Sequence, residues 1–440
     1  MLIGINWTSP QTLPIIQQLL HDNVADFCEI SVDNFIHLKP DVLRAALSDV
    51  PISLHILGSR FLEKSSCQLK KMAASLRIFI DALKPIYVSD HLVKFTDAHS
   101  QLTFLAELNY EKDFSHVLSR VSEWQERLGQ TIFFENYAST SSHGSQTKFF
   151  ASMMRETKAG LLFDISNAYI AEINGACRFA NWLPQIKQTQ HFHVAGCRFF
   201  ADTATAIDTH DVAVMDDVHA LLATTFSEID ASNTQTLVIE LDANIDYEFW
   251  KHEILTIKKI LSTPKQYRAK PSKLLTLPSA SHAEIEFESL WHTLFDFSPT
   301  SLNLFSQHKS EESVKSFLAW AHQNKLSMNW ALHAHLLDWF CTQEKFKAHI
   351  DEKIKKELLS AAVTRWSSSG MDHFHAQGIL LTSKHFPERA VGLWKSAAAE
   401  QAGKIVVLKI SNQKIPPDDR YAISTEQGNW SGIQWELLPK

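Results

Sequence analysis

Thiols are scarce in this chain. Cys28, Cys67, Cys177, Cys197 and Cys341 are the only cysteines in 440 residues, an odd number with no CxxC pair. That argues against a disulfide framework and against a thiolate zinc site. The cysteines read as small buried hydrophobes, and any metal would be held by nitrogen and oxygen ligands, a set that suits iron, zinc or manganese. Long apolar runs are missing too, and no stretch is long enough to span a bilayer. The opening residues, MLIGINWTSP, lack the basic start, apolar core and small-residue cleavage site of an export signal. They read as a first strand, and the expected location is the cytoplasm, with no membrane partner. Positive charge is also short: 42 Lys and Arg against 49 Asp and Glu give −7 with His neutral. A nucleic-acid partner is disfavoured, and a substrate recognised by charge would be basic or neutral.

A hydrophobic content of 45% and a charged content of 21% are ordinary for a globular enzyme, and the length allows two or three domains. Strand and helix patterns alternate through the first half, as in a parallel sheet with helical crossovers. The strands are LIGINW, FCEISVDNF, ISLHILG, IYVSDHLVKF, TIFFENYAS, GLLFD, HFHVAGCRFF and TLVIELD. Eight strands in about 265 residues is the usual size of a (β/α)8 TIM barrel, so the expected fold is α/β, with the barrel over residues 1–265. From Ser262 to Ser281 the composition shifts to proline, serine and lysine, which predicts a linker over 266–283. Residues 284–440 read as a mainly helical domain with a small β-sheet formed by KIVVLKISN, RYAIST and IQWELL. Eight of the twelve tryptophans lie after the linker, where aromatic density favours a packed core.

The barrel strands end in acids and imidazoles. TIFF runs into Glu135 and Asn136, ISL into His55, IYVS into Asp90 and His91, and GLLF into Asp164. HFHV carries His193, and LVIELD carries Glu240 and Asp242. The segment IDTHD, read as a loop, sets Asp208 and His210 two residues apart. A carboxylate at the end of an apolar strand is costly to bury unless it is paired or holds a metal, and strand C-termini form the active face of a TIM barrel. One such end has a plain explanation: His55 as a core histidine, Asp90 as a helix cap, Asp208 in an Asx turn. Together the eight residues His55, His91, Glu135, Asp164, His193, Asp208, His210 and Glu240 suit a polynuclear metal centre with bridging carboxylates, Glu135 foremost. Asp90, Asn136, Asn167 and Asp242 would stand behind the ligands or bind more weakly. His191 faces the same way as His193 and is placed one layer deeper. Glu29, Ser31 and Asp33 share one face of the second strand, odd for a core and natural for a site. His333 and His335, like His373 and His375, sit two apart on helical patterns and so cannot chelate one ion as a pair.

These residues carry a resemblance. SLH, VSDH, FFENY, FDISNAY, HFHVAG, IDTHD and VIELD resemble, in order, the motifs of the multinuclear non-haem iron-dependent oxidases. IGINWT, FCEISVDNFIHL and LAELNY bring the likeness nearest to the methanobactin biosynthesis protein B family over roughly residues 1–260. LWHTLFD, FLAWA and TRW resemble the protein C family, the usual separate partner, over roughly 285–440. Cys197 departs from the pattern, since many superfamily members have a histidine after the HVAG-like turn.

The resemblance implies a mixed-valent centre of two or three iron ions, Fe(II) and Fe(III), with dioxygen as co-substrate. It also implies a cysteine-containing precursor peptide, bound through its leader and oxidised by four electrons to an oxazolone with a neighbouring thioamide. The eight residues named above match ligand positions. Asp242 matches an acidic position that could shuttle a proton, and Glu135 joins it as a catalytic candidate. The partner's function would be fused in cis, with room left for a dimer. Spacing alone also suits a trinuclear zinc hydrolase, a sugar isomerase or a non-catalytic peptide-binding scaffold.

Overall fold

The computed structural model describes residues 1–262 apart from 141–143, 201–204, 230–235 and 244, and residues 281–437 apart from 308–309, 369–376, 388, 397, 400–402, 410–420 and 425–435. The predicted linker falls almost wholly outside the described residues, as do His373 and His375. The chain forms two compact units. One comprises Met1–Val32, Leu38–Val93 and Glu107–Ala280, the other Asp33–His37, Lys94–Ala106 and Ser281–Lys440.

In the first unit, strands β1 (Leu2–Trp7), β2 (Phe27–Ser31), β3 (Ile52–Ile56) and β4 (Val88–His91) run side by side. Strands β5 (Val93–Asp97) and β6 (Ser100–Glu107) then leave the barrel as a separate two-stranded sheet. The barrel resumes with β7 (Phe133–Glu135), β8 (Gly160–Asp164) and β9 (His191–Ala195). After another two-stranded sheet, β10 (Cys197–Phe200) with β11 (Thr205–Asp208), it closes through β12 (Thr236–Glu240) onto β1. All eight barrel pairings are parallel. This is the expected TIM barrel.

Its strands are nearly continuous apolar runs because both of their faces are covered, by the barrel interior on one side and helices on the other. Helix Phe114–Leu128 shows the outer half of the pattern: Val117, Val121, Trp124 and Leu128 are buried at spacings of four, three and four, and Gly129 ends it at φ 76°. Inside, Phe27, Tyr87, Leu162 and Val238 form a plug with Phe133 packed against it. No helix among the described residues is long and apolar enough to cross a membrane.

Two expected strands break where the chain turns out of the barrel. IYVSDHLVKF is β4 and β5 with Leu92 between them, and HFHVAGCRFF is β9 and β10 with Gly196 between them. A Cβ on Gly196 would stand 1.9 Å from the Val212 carbonyl oxygen, so only glycine fits this corner. IDTHD is therefore no plain loop. Asp208 ends β11, opposite Cys197, and His210 follows in the left-handed region at φ 48°. Asp33 lies in a 3-10 turn beyond β2 and leaves the face that Glu29 and Ser31 share.

The second unit contains helices His282–Phe297, Pro299–Gln307, Ser310–Gln323, Leu332–Thr342, Glu344–Lys347 and Glu352–Ser368. It also holds an antiparallel sheet of β13 (Gly378–Thr382), β14 (Arg389–Trp394), β15 (Lys404–Lys409), β16 (Tyr421–Ser424) and β17 (Glu436–Leu437), in the order β15-β14-β13-β16-β17. The last three strands are those predicted, whereas β13 and β14 were not anticipated. GILLT is a short apolar run with no alternation to separate strand from helix. The hairpin of residues 94–106 belongs to this unit. Phe104 N–H donates to Ser289 Oγ at 2.6 Å, and the Arg365 guanidinium donates to the Thr103 carbonyl at 2.5 Å. His333 is fully buried and adds to the core.

Trp339 sits among Phe305, Phe317, Phe340 and Phe346, with ring centroids 5.3–5.9 Å from its own. Trp339→Ala should destabilise the second unit by about 3–5 kcal/mol, read as a lower urea midpoint for the full chain.

Candidate metal centre

The barrel register brings the polar strand ends level. His91 lies opposite Glu135 between β4 and β7, and Asp164 lies opposite His193 between β8 and β9. Two groups of ligand atoms result, each with all its atoms within 4.8 Å of one another: His55, His91 and Glu135, and then Glu135, Asp164, His193 and Glu240. Glu135 belongs to both. Asp208 and His210 adjoin the second group, with His210 Nε2 2.8 Å from Asp208 Oδ1 and His210 Nδ1 3.8 Å from Glu240 Oε2. All eight ligand candidates named from the sequence thus stand together at one mouth of the barrel.

Three of the four imidazoles are hydrogen-bonded at one nitrogen, and all four turn a nitrogen toward acids. His55 Nδ1 meets Ser89 Oγ at 2.8 Å, and its Nε2 lies 3.6 Å from Glu135. His91 Nδ1 meets the Ile56 carbonyl at 3.1 Å, and its Nε2 lies 3.1 Å from Glu135. His210 Nδ1 meets Asp242 Oδ2 at 3.0 Å and its Nε2 faces Asp208. His193 is reversed: Nε2 stands 2.8 Å from Glu29 Oε1, and Nδ1 faces Glu240 at 3.3 Å. Holding the far nitrogen of a histidine is how proteins fix the tautomer and ring orientation of a metal ligand.

The supporting residues divide by what they touch. The Asn136 amide donates to the Asp164 carbonyl and accepts from the Asp164 N–H, tying β7 to β8. Asn167 donates from Nδ2 to Glu135 Oε1 at 3.0 Å, and Asp164 Oδ1 accepts from the Asn167 N–H, capping helix Ile165–Ile173. Asp90 accepts from Ser59 Oγ, Trp124 Nε1 and the His91 N–H, so its carboxylate is held away from the cluster. Asp242 accepts from Asn6 Nδ2 at 2.8 Å, and its side chain is 41% exposed, the most open acid of the set. His191 lies a layer below, bonded to Thr236 and stacked on Tyr87 at 4.1 Å. The sequence reading placed Glu29 on a site-facing strand without pairing it to His193. Nothing in the local pattern of β2 points to so distant a partner.

The electrostatics are those of a site built for cations. Burial pushes the Asp164 carboxyl well above its ordinary value, and Glu135, Asp208 and Glu240 beside it add to the effect. Burial also raises Glu240. Glu135 goes the other way: His91, His193 and His55 outweigh burial and hold it low. Burial and His91 take His55 down to about 4, whereas Glu135 overcomes burial and lifts His91 to about 9. Against the effect of burial, Glu240 and Glu29 lift His193, and Asp208 and Glu240 lift His210. Asp164 Oδ2, Asp208 Oδ1, His193 Nδ1 and His210 Nε2 are buried without an aligned hydrogen bond. Such atoms, in a nitrogen and oxygen set with shared carboxylates, fit a site for two or more transition-metal ions.

The family model described as RiPP precursor modification enzyme MbnB/TglH/ChrH matches residues 2–262. The model described as methanobactin biosynthesis cassette protein MbnC-like matches residues 275–439. A UPF0276 protein of Paraburkholderia phytofirmans is 26% identical over 245 residues, 52% of this chain and 78% of that protein. A UPF0276 protein of Rhizobium meliloti is 30% identical over 213 residues, 44% of this chain and 67% of that one. Among solved structures, an L-ribulose 3-epimerase aligns with a TM-score of 0.41 at 12% identity, covering 61% of this chain and 99% of its own.

Metal loading must displace protons, because His91, His193 and His210 hold theirs above the ordinary imidazole range and Asp164 above the carboxyl range. Binding should therefore release protons into a weakly buffered solution and tighten as the pH rises from about 6 to 8. Affinity that does not change with pH would contradict this charge pattern. Gly196→Ala should separate β10 and β11 from the cluster and lower the metal content of the purified chain.

Proposed function

Because the chain belongs to the RiPP precursor modification enzyme family MbnB/TglH/ChrH, we propose that it is an iron- and dioxygen-dependent oxidase acting on a cysteine of a ribosomally made precursor peptide. The cysteine becomes an oxazolone beside a thioamide, on the route to a methanobactin-like copper-binding peptide. The observation that carries this reading is the convergence on carboxylates at the mouth of the barrel of four imidazoles, three of them hydrogen-bonded at one nitrogen and the fourth, His193, set with Nε2 2.8 Å from Glu29.

Iron bound there supplies open coordination positions and the change of oxidation state on which dioxygen reduction depends. His55, His91 and Glu135 would hold one ion, and Glu135, Asp164, His193 and Glu240 another, with Asp208 and His210 available to a third. Glu135, common to the first two groups, would be shared between them, and Asn167 donates to its Oε1. Partial burial pushes the Asp242 carboxyl up, but His210 and Asn6 outweigh it and hold the group below its ordinary value. It is ionised, partly open to solvent and bonded to His210, so it would relay a proton in concert with that imidazole rather than hold one itself. Four hydrogens leave the peptide, and dioxygen takes them up as two waters.

The second unit would hold the precursor's leader, the partner's task performed in cis. Among the described residues β15 pairs on one side only, with Ile405 and Val407 exposed, an edge suited to strand addition. The setting is cytoplasmic.

The test is anaerobic loading of the full chain with iron, then dioxygen and a cysteine-containing precursor, followed by mass spectrometry. The expected product is lighter by four hydrogen atoms. Unchanged peptide with the iron-loaded chain would sink the oxidase reading, and zinc as the metal bound on anaerobic purification would favour a hydrolase. Glu135→Ala and His193→Ala should each lose iron and slow conversion by at least about a hundredfold.

A further inference from the structure

Glu29 is 1% exposed, deep in the barrel on β2, and its carboxylate belongs to neither group of ligand atoms. One of its oxygens is hydrogen-bonded and the other faces a single group. Oε2 accepts from Tyr87 Oη at 2.5 Å and from Ser53 Oγ at 3.0 Å. Oε1 stands 2.8 Å from His193 Nε2. The phenol and the hydroxyl come from β3 and the segment just before β4, so two neighbouring parts of the barrel wall grip one end of the carboxylate. The other end is presented to the imidazole alone.

We propose that Glu29 is the positioning residue that makes His193 a ligand through Nδ1. The other three histidines of the cluster turn Nε2 toward the acids, whereas His193 turns Nδ1. Imidazole in its neutral form carries one proton, and the group beside the far nitrogen decides which nitrogen keeps it. A carboxylate can only accept, so Glu29 keeps the proton on Nε2 and leaves the Nδ1 lone pair facing Glu240 and Glu135. The Nε2 contact is short but not aligned as a hydrogen bond. A buried carboxylate behind a ligating imidazole also raises its basicity. Packing gives no competing reason for an acid here, since a buried carboxylate is costly unless its charge is used.

The inference rests on the reading of the cluster as a metal site, and the test separates the two. Glu29→Gln keeps size and shape. Its amide oxygen can still accept from Tyr87 and Ser53, which leaves the NH2 facing His193. An NH2 donates, so Nε2 must accept and the proton moves to Nδ1, where it blocks the ligand lone pair. Wild type and Glu29→Gln are titrated anaerobically with Fe(II), and separately with Co(II), whose visible spectrum reports coordination. The melting temperature of each metal-free protein is measured alongside.

The expected result is an unchanged melting temperature, one class of ion weakened about ten- to hundredfold, and an altered Co(II) spectrum. The ion held by His55, His91 and Glu135 should bind as before. Tyr87→Phe, which removes one of the bonds on Glu29, should weaken the same class by a smaller factor and serves if Glu29→Gln does not fold. Equal affinities and spectra in both variants would overturn the role of Glu29, as would a lower melting temperature with unchanged metal binding. A wild-type chain that binds neither metal would overturn the reading of the site itself.

Discussion

Like charges cannot be gathered out of water without something to offset them, and this constraint governs the mouth of the barrel. Among the described residues Glu29, Glu135, Asp164, Asp208, Glu240 and Asp242 gather around the imidazoles of His55, His91, His193 and His210. In the protein alone burial shifts the Asp164 and Glu240 carboxyls toward their protonated forms, and neighbouring acids raise His91, His193 and His210 against the effect of burial. A cation does the same job with stronger bonds. The groups that favour protons here are the ones that would favour a cation, which is why the tied nitrogens matter as much as the facing ones.

The scaffold reaches this arrangement by two devices. Six of the eight residues ride on barrel strands whose register is fixed by parallel pairing, so their heights are set by the sheet. Asp208 and His210 arrive from outside the barrel, on a chain turned back at Gly196 and held by backbone bonds: His210 N–H to the Gly196 carbonyl at 3.0 Å, and Asp242 N–H to the His210 carbonyl at 2.8 Å. The unusual backbone of His210 is thus secured on both sides. The cluster combines a rigid wall with one imported corner, a common division of labour in barrels whose loops carry the chemistry.

The eight-strand barrel was legible because its strands are short apolar runs, and six of the eight residues at the mouth because an acid or imidazole stands at or near the end of such a run; Asp208 and His210 were marked only by their spacing in IDTHD. The departures were illegible for a physical reason as well. In IYVSDHLVKF and HFHVAGCRFF the apolar character continues across the corner, so the chain leaves the barrel without a change of composition. Only Gly196 marks the second corner, and its signal is a missing side chain. Glu29 could be placed on a polar strand face but not matched to His193, because that pairing exists only once the barrel closes. Asp90, which the sequence set beside His91 at the strand end, is drawn away by Trp124, a residue of the following helix whose reach no spacing rule reports.

Between β4 and β7 the chain makes an excursion whose residues 94–106 complete the second unit. A seam drawn at residues 263–280 separates the two parts in the order of the text but not in the weave of the fold, since this thread crosses it early and returns. The thread departs from the barrel only two residues, Leu92 and Val93, after His91. The arm that Ser289 and Arg365 grasp is continuous backbone with an imidazole at the mouth.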